Sequence, residues 1–253
     1  MDWTKLGTVE PKTLAPSRVV LHWAAQLPSA VGATLGPPKE DSSHTALTWN
    51  SGTLVCQDAA LRLADLTLLA RGAEMPLGDK TLADALAWLG EKFGKKMERP
   101  VHELPEHPIG KGAAFPGAAR AAYGELAHWF ANASLVLEAV RASRKGASPV
   151  RCWPHHFDIA TLITIDDKRS IGVGLSPGDA TYAEPYLYVA PWPYPERSTL
   201  PALANASWHI AGWTGAVLSA ASIVASADQH QTVTSFVETA IDACFELLGP
   251  SVH

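Results

Sequence analysis

Apolar residues first recur at helical spacing over residues 18–35, where Val19, Trp23, Leu27 and Val31 fall near one stripe. Pro28 predicts a kink in that helix, and Gly36-Pro37-Pro38 predicts its end. The period then shortens. Residues 45–49, 53–56 and 61–69 read as a strand meander, broken at Asn50-Ser51-Gly52 and at Gln57-Asp58. Residues 81–93 return to the helical period, with Leu82, Leu86 and Leu89 on one stripe and Thr81 or Asp79 available as a cap.

Residues 94–117 are rich in Pro, Gly, Lys and Glu and carry no period, so they read as a long connection. The pattern restarts after it. A helix is predicted over 118–142, strands over 150–153, 157–165, 170–175 and 186–190, and a closing helix over 228–248. This predicts an α+β fold of two similar halves, each a helix, an antiparallel meander and a helix, over 1–93 and 118–253 with 94–117 as linker. Leu21-His22-Trp23-Ala24 in the first predicted helix matches Ala127-His128-Trp129-Phe130 in the second. His44-Thr45-Ala46-Leu47 likewise matches His156-Phe157-Asp158-Ile159. Internal duplication and coincidence are both open readings of so short a match.

Composition narrows the classes. With 47% hydrophobic and 18% charged residues, the 253-residue chain has the balance of a folded protein rather than a disordered one. A net charge of −5, without a clustered basic face, argues against a nucleic-acid partner. No stretch approaches the roughly 20 apolar residues of a membrane span, and residues 1–20 lack a secretory pattern. A cytoplasmic protein with no membrane partner is expected. Cys56, Cys152 and Cys244 are odd in number and widely spaced, which predicts buried, reduced thiols.

Chemistry concentrates between residues 153 and 213. The stretch holds Trp153-Pro154-His155-His156-Phe157-Asp158, then Ser176-Pro177-Gly178-Asp179, Glu184-Pro185-Tyr186 and Pro191-Trp192-Pro193, and closes on Trp208-His209 and Gly212-Trp213. These four Trp/Ser/Glu/Pro motifs resemble a bacterial family known as a domain of unknown function (5996). The resemblance covers residues 150–215 and implies a shared fold, but no activity, cofactor or partner.

Strand alternation places His156 with Asp158 on one face, and Glu184 with Tyr186 and Tyr188 on another. With His209, the pair His156-x-Asp158 has the composition of a facial triad for a mononuclear metal, and Glu184 is a fourth candidate ligand. Imidazole and carboxylate suit Fe, Zn or Mn. Tyr186, Tyr188, Trp208 and Trp213 are the expected walls of a small-molecule pocket, since aromatic rings with polar edges line such sites. Two functions follow: a metal-dependent enzyme acting on a small molecule through His156, Asp158 and His209, or a non-catalytic small-molecule-binding or scaffolding protein in which these side chains form a hydrogen-bonded network.

Gly174-Leu175-Ser176-Pro177-Gly178 also spells a nucleophile elbow. Pro177 argues against it, because the residue after the nucleophile must donate its N–H to the oxyanion. A plain Ser-Pro-Gly-Asp turn is the expectation. Neither substrate, reaction, metal identity nor oligomeric state is legible.

Overall fold

A computed structural model describes residues 2–117 and 119–249 of the chain. The expected helix start at Ala118, and the terminal His253, lie outside the described residues. The fold is α+β, built on antiparallel sheets and five α-helices among the described residues. Backbone contacts divide it into two compact units, neither of them continuous in sequence. One comprises Thr13–Ala131 with Arg151–Asp158, the other Met1–Lys12, Asn132–Val150 and Ile159–His253. That division cuts across the expected 1–93, 94–117 and 118–253 pattern.

In the first unit, helix α1 (Ala15–Leu35) starts on Pro16, whose fixed φ suits the first turn. It runs through Pro28, and every residue from 20 to 32 is buried. A helix buried all round is a core element rather than an amphipathic cover. Strands β1 (Thr48–Asn50), β2 (Thr53–Cys56), β3 (Ala59–Arg62), β4 (Thr67–Ala70) and β5 (Ala73–Pro76) form a meander in that order. Two of its hairpins turn on left-handed pairs, Ser51-Gly52 (φ 45° and 90°) and Arg71-Gly72 (φ 48° and 79°). The registers put Leu54, Leu61 and Leu68 side by side, with Cys56, Ala59 and Ala70 beside them, all buried. Helix α1 packs on β2 and β3. The expected strand over 61–69 is in fact the end of β3, a one-turn 3-10 helix and β4, divided where Leu66 takes φ 54°.

Helix α2 (Leu82–Phe93) begins at Thr81, whose hydroxyl accepts from the Asp84 N–H while the Asp84 carboxylate accepts from the Thr81 N–H. Its buried stripe is Ala85, Leu89 and Phe93, rotated from the expected Leu82-Leu86-Leu89 face. Residues 94–117 have little regular structure yet are packed within this unit. Met97, Ile109 and Phe115 are buried, and the Pro105 carbonyl accepts from the Trp23 indole at 3.0 Å. Helix α3 (Arg120–Ser143) contains the boundary between the units, at Ala131 and Asn132. Strand β6 (Arg151–Trp153) is bridged through Cys152 to Leu47, both N–H groups donating across at 2.9 and 2.7 Å.

In the second unit, strands β7 (Asp158–Thr164), β8 (Ser170–Ser176) and β9 (Tyr186–Trp192) form a meander. Strand β10 (Ser207–His209) then skips to the outside, and β11 (Gly215–Ser219) returns to pair with β9. This order, 7-8-9-11-10, is not that of the first meander. Helix α4 (Ala220–Val224) and helix α5 (Gln229–Leu248) follow, α5 capped by the Asp228 carboxylate on the Gln231 N–H.

Registers sort the sheet into two faces. One carries Ile159, Thr161, Ile163, Ile171, Val173, Leu175, Leu187, Val189, Ala216 and Leu218, all buried. Helix α5 contacts β8, β9 and β11 and buries Val233, Phe236, Val237, Ala240 and Ile241. The other face carries Ser170, Gly172, Gly174 and Ser176 on β8, Tyr186, Tyr188, Ala190 and Trp192 on β9, and Gly215 beside His209. Ala160 and exposed Leu162 on β7 and buried Val217 on β11 share this face, Val217 lying opposite Tyr188.

Candidate functional site

The glycines on that second face make room for the rings. A Cβ on Gly174 would lie 2.5 Å from the Tyr188 Oη and 2.6 Å from its Cζ, so Tyr188 lies directly over the strand opposite. Gly215 has the same relation to Trp213, whose Cζ3 would be 2.5 Å from an added Cβ. Glycine in a strand weakens it, and here that loss accompanies close approach of a ring to the backbone.

Five rings then form a closed circuit. Tyr182 lies 4.7 Å from Tyr186 between centroids, Tyr186 lies 6.3 Å from Tyr188, and Tyr188 lies 6.2 Å from Trp213. Trp213 stacks on His209 at 4.4 Å, and His209 closes the loop on Tyr182 at 5.6 Å. Successive interplanar angles of 47°, 53°, 75°, 27° and 62° make these rings tilted neighbours rather than a flat layer. Hydrogen bonds fix their orientation. The His209 Nε2–H donates to the Ala211 carbonyl at 2.7 Å, because a carbonyl only accepts. In the neutral ring Nδ1 is therefore the acceptor, and the Tyr182 hydroxyl donates to it at 3.0 Å. Tyr186 donates to the Asp179 Oδ2 at 2.6 Å, while Asp179 Oδ1 accepts from the N–H groups of Thr181 and Tyr182. Burial, then the neighbouring Asp179 charge, pushes the Tyr182 hydroxyl above the ordinary tyrosine range, so it stays protonated.

Of the residues expected to line a pocket, Tyr186, Tyr188 and Trp213 are brought together. Trp208 is not, because it alternates with His209 along β10 and its indole donates to the Pro201 carbonyl at 2.7 Å. Tyr182, Asp179 and the glycines Gly174 and Gly215 complete the arrangement. The signal that could have found the glycines is their spacing: Gly172-x-Gly174 faces Tyr188-x-Ala190 in register.

The expected metal ligands occupy four different settings. His156 is exposed in the turn at 154–157, not on a strand, so the alternation that paired it with Asp158 does not apply. Asp158 begins β7. Both belong to the first unit and His209 to the second. The Nδ1 lone pair that His209 would offer a metal already accepts from Tyr182. Glu184 precedes β9, and its carboxylate accepts from the Ala221 N–H at 3.0 Å, capping α4. Among the described residues no group of three or more His, Cys, Asp or Glu side chains is placed to hold a metal ion.

Around the 154–157 turn, rings serve packing instead. Phe157 takes φ 58° and is fully buried between His22, at 5.3 Å, and Phe130, at 5.1 Å. The Pro154 carbonyl accepts from His22 Nε2 at 2.9 Å and from Gln26 Nε2 at 2.6 Å. Burial holds His22 down to about 4 despite that bond, and burial followed by the neighbouring His156 and His102 holds His155 at about 4. His102 is lowered by burial and by Arg99.

Ser176 ends β8, and its Oγ accepts from the Gly178 N–H at 3.2 Å, a local turn contact. The three cysteines are buried and free, and burial raises the Cys56 thiol to about 11 and Cys244 to about 12. Among the described residues no helix is long and apolar enough to cross a membrane. A groove of about 630 Å³ along Leu86, Ala87, Gly90 and Met97 lies in the first unit and shares no residue with the ring circuit.

No protein-family model, curated protein or solved structure matches this chain.

Proposed function

We propose that this protein binds a small molecule at the circuit of Tyr182, Tyr186, Tyr188, His209 and Trp213. The observation that carries the reading is the closed circuit itself, seated over Gly174 and Gly215 on the sheet face opposite α5. Strand glycines and a fixed tautomer are costly for a core that needs only apolar filling. They suit a surface that presents ring faces at set angles. The polar atoms of Tyr182, Tyr186 and His209 are engaged in holding the rings, which favours recognition over proton transfer.

A panel of metabolites screened by thermal shift tests this. A true ligand raises the melting temperature of the wild-type protein, loses that effect in Trp213→Ala, and keeps it in Trp208→Ala, whose indole lies off the circuit. Circular dichroism establishes that both variants are folded. If every ligand found stabilises Trp213→Ala as much as wild type, the circuit is not the site.

A further inference from the structure

We propose that residues 96–106 form a strap that acid releases from α1, with His102 and His155 as the groups that take up the protons. The segment belongs to no helix or strand, and among the described residues it makes no backbone–backbone hydrogen bond. Side chains hold it instead. Met97 is buried, the Pro105 carbonyl accepts from the Trp23 indole at 3.0 Å, and the Arg99 guanidinium lies 5.4 Å from the centre of the Trp23 ring. A further contact is His102, whose ring lies 5.5 Å from that of His155 in the 154–157 turn. A segment tied by so few bonds sits at the low end of local stability, where a small change in charge decides whether it stays closed.

The charges bearing on that contact are of one sign. His102 faces Arg99 of the strap and His156 of the turn, and His155 faces His156 and His102. On α1, His22 faces Arg18 as well as His156 and His155. Of the neighbouring carboxylates, Glu103 is exposed on the strap and Asp158 bears on the Cys152 thiol. Burial, then its histidine neighbours, holds His155 at about 4, and burial, then Arg99 and His156, lowers His102. Release of the strap returns both rings toward water, where an ordinary histidine takes its proton near 6.5. Because the closed values lie below the free ones, the latch is complete above pH 6.5 and weakens as pH falls toward 4. His102 adds a second cost to closure in acid. Its Nε2 is buried without a hydrogen-bond partner among the described residues, so the imidazolium would carry a charged donor with no acceptor.

Indole signals in proton–nitrogen NMR spectra of the full chain test this, with the Trp23 signal assigned through Trp23→Phe. The Trp23 N–H should move upfield progressively from pH 6.5 to 4 as its bond to Pro105 opens. The indole of Trp129, buried in the same unit, should keep its position and so show that the unit is still folded. In the double variant His102→Phe/His155→Phe, which keeps two rings and removes their protons, the Trp23 signal should stay where it stands at pH 7. His102→Phe alone changes only the half-buried strap residue, serves should the double variant not fold, and should at least halve the movement. The strap is overturned by a Trp23 signal that has not moved by pH 4, by one that moves together with Trp129, or by one that moves as far in these variants as in wild type.

Discussion

Two clusters of rings draw on the same dense run of sequence, the first adding His22 and Phe130 from outside it, and they are built on opposite logic. Around the 154–157 turn, Phe157 is sealed between His22 and Phe130, and the histidines are held neutral by burial. In the circuit on the second sheet, by contrast, the rings of Tyr188 and Trp213 stay partly exposed, and hydrogen bonds hold His209 and Tyr186 in place. An aromatic at positive φ is a strained residue that persists only where surrounding contacts over-determine it. The first cluster therefore stabilises its unit, whereas the second leaves part of the Tyr188 and Trp213 rings open to solvent. Residue type alone does not separate them, since both are assembled from His and aromatic side chains.

The widest break in this comparison would come from truncating one ring in each cluster. Phe157→Ala should cost about 3–5 kcal/mol in urea unfolding, the usual loss for a buried phenylalanine. Trp213→Ala should cost about 1 kcal/mol or less, as for a partly exposed position. Equal losses would erase the distinction between packing and recognition.

Acid sharpens it next. His22 has its folded pKa lowered to about 4 from an ordinary 6.5, so between those values the unfolded chain binds more protons than the folded one. Its contribution is complete above pH 6.5 and fades as pH falls toward 4, by about 3 kcal/mol in all. Urea unfolding at pH 7, 5.5 and 4 should trace that decline, and His22→Gln should make it shallower, leaving the share that His155 contributes over the same range. A stability that stays level across the window would refute the neutral, buried assignment.

A smaller effect than that of Phe157→Ala is expected at the glycine bed. Gly174→Ala puts a methyl group against Tyr188 and within 2.9 Å of the Ala160 Cβ, and should cost about 1–3 kcal/mol by overpacking. Its sharper consequence is displacement of the Tyr188 ring, read as loss of ligand-induced stabilisation at retained fold. Unchanged binding in Gly174→Ala would remove Tyr188 from the site.

Local signals were the legible ones. Thr81 with Asp84 three residues later marks the start of α2, and Asp228 marks that of α5, because capping is decided within one turn of chain. Alternation placed Tyr186 and Tyr188 on one face, since both lie inside a seven-residue strand. The same rule misled at His156, because Phe157 adopts a left-handed backbone that nothing in its side chain advertises. Left-handed Leu66 divided the predicted 61–69 strand in the same way. The neighbour relation of β9 and β11, and with it the return of Trp213 to Tyr188, depends on pairing across residues 193–214. Non-local pairing leaves no periodic trace in sequence.

The division of the chain into discontinuous segments sets a schedule for its synthesis. Leu6 hydrogen-bonds through its backbone to the side chain of Gln229, a partner made 223 residues later. At ~5–20 residues per second, a ribosome needs roughly 10–45 s to supply it. Until then Leu6 lacks that partner, and Pro154, which receives His22 and Gln26 of α1, is made 128 residues after Gln26. Neither unit can be excised with one cut, because each borrows from both sides of α3. Expression of isolated halves would strand donors and acceptors that only the whole chain reunites.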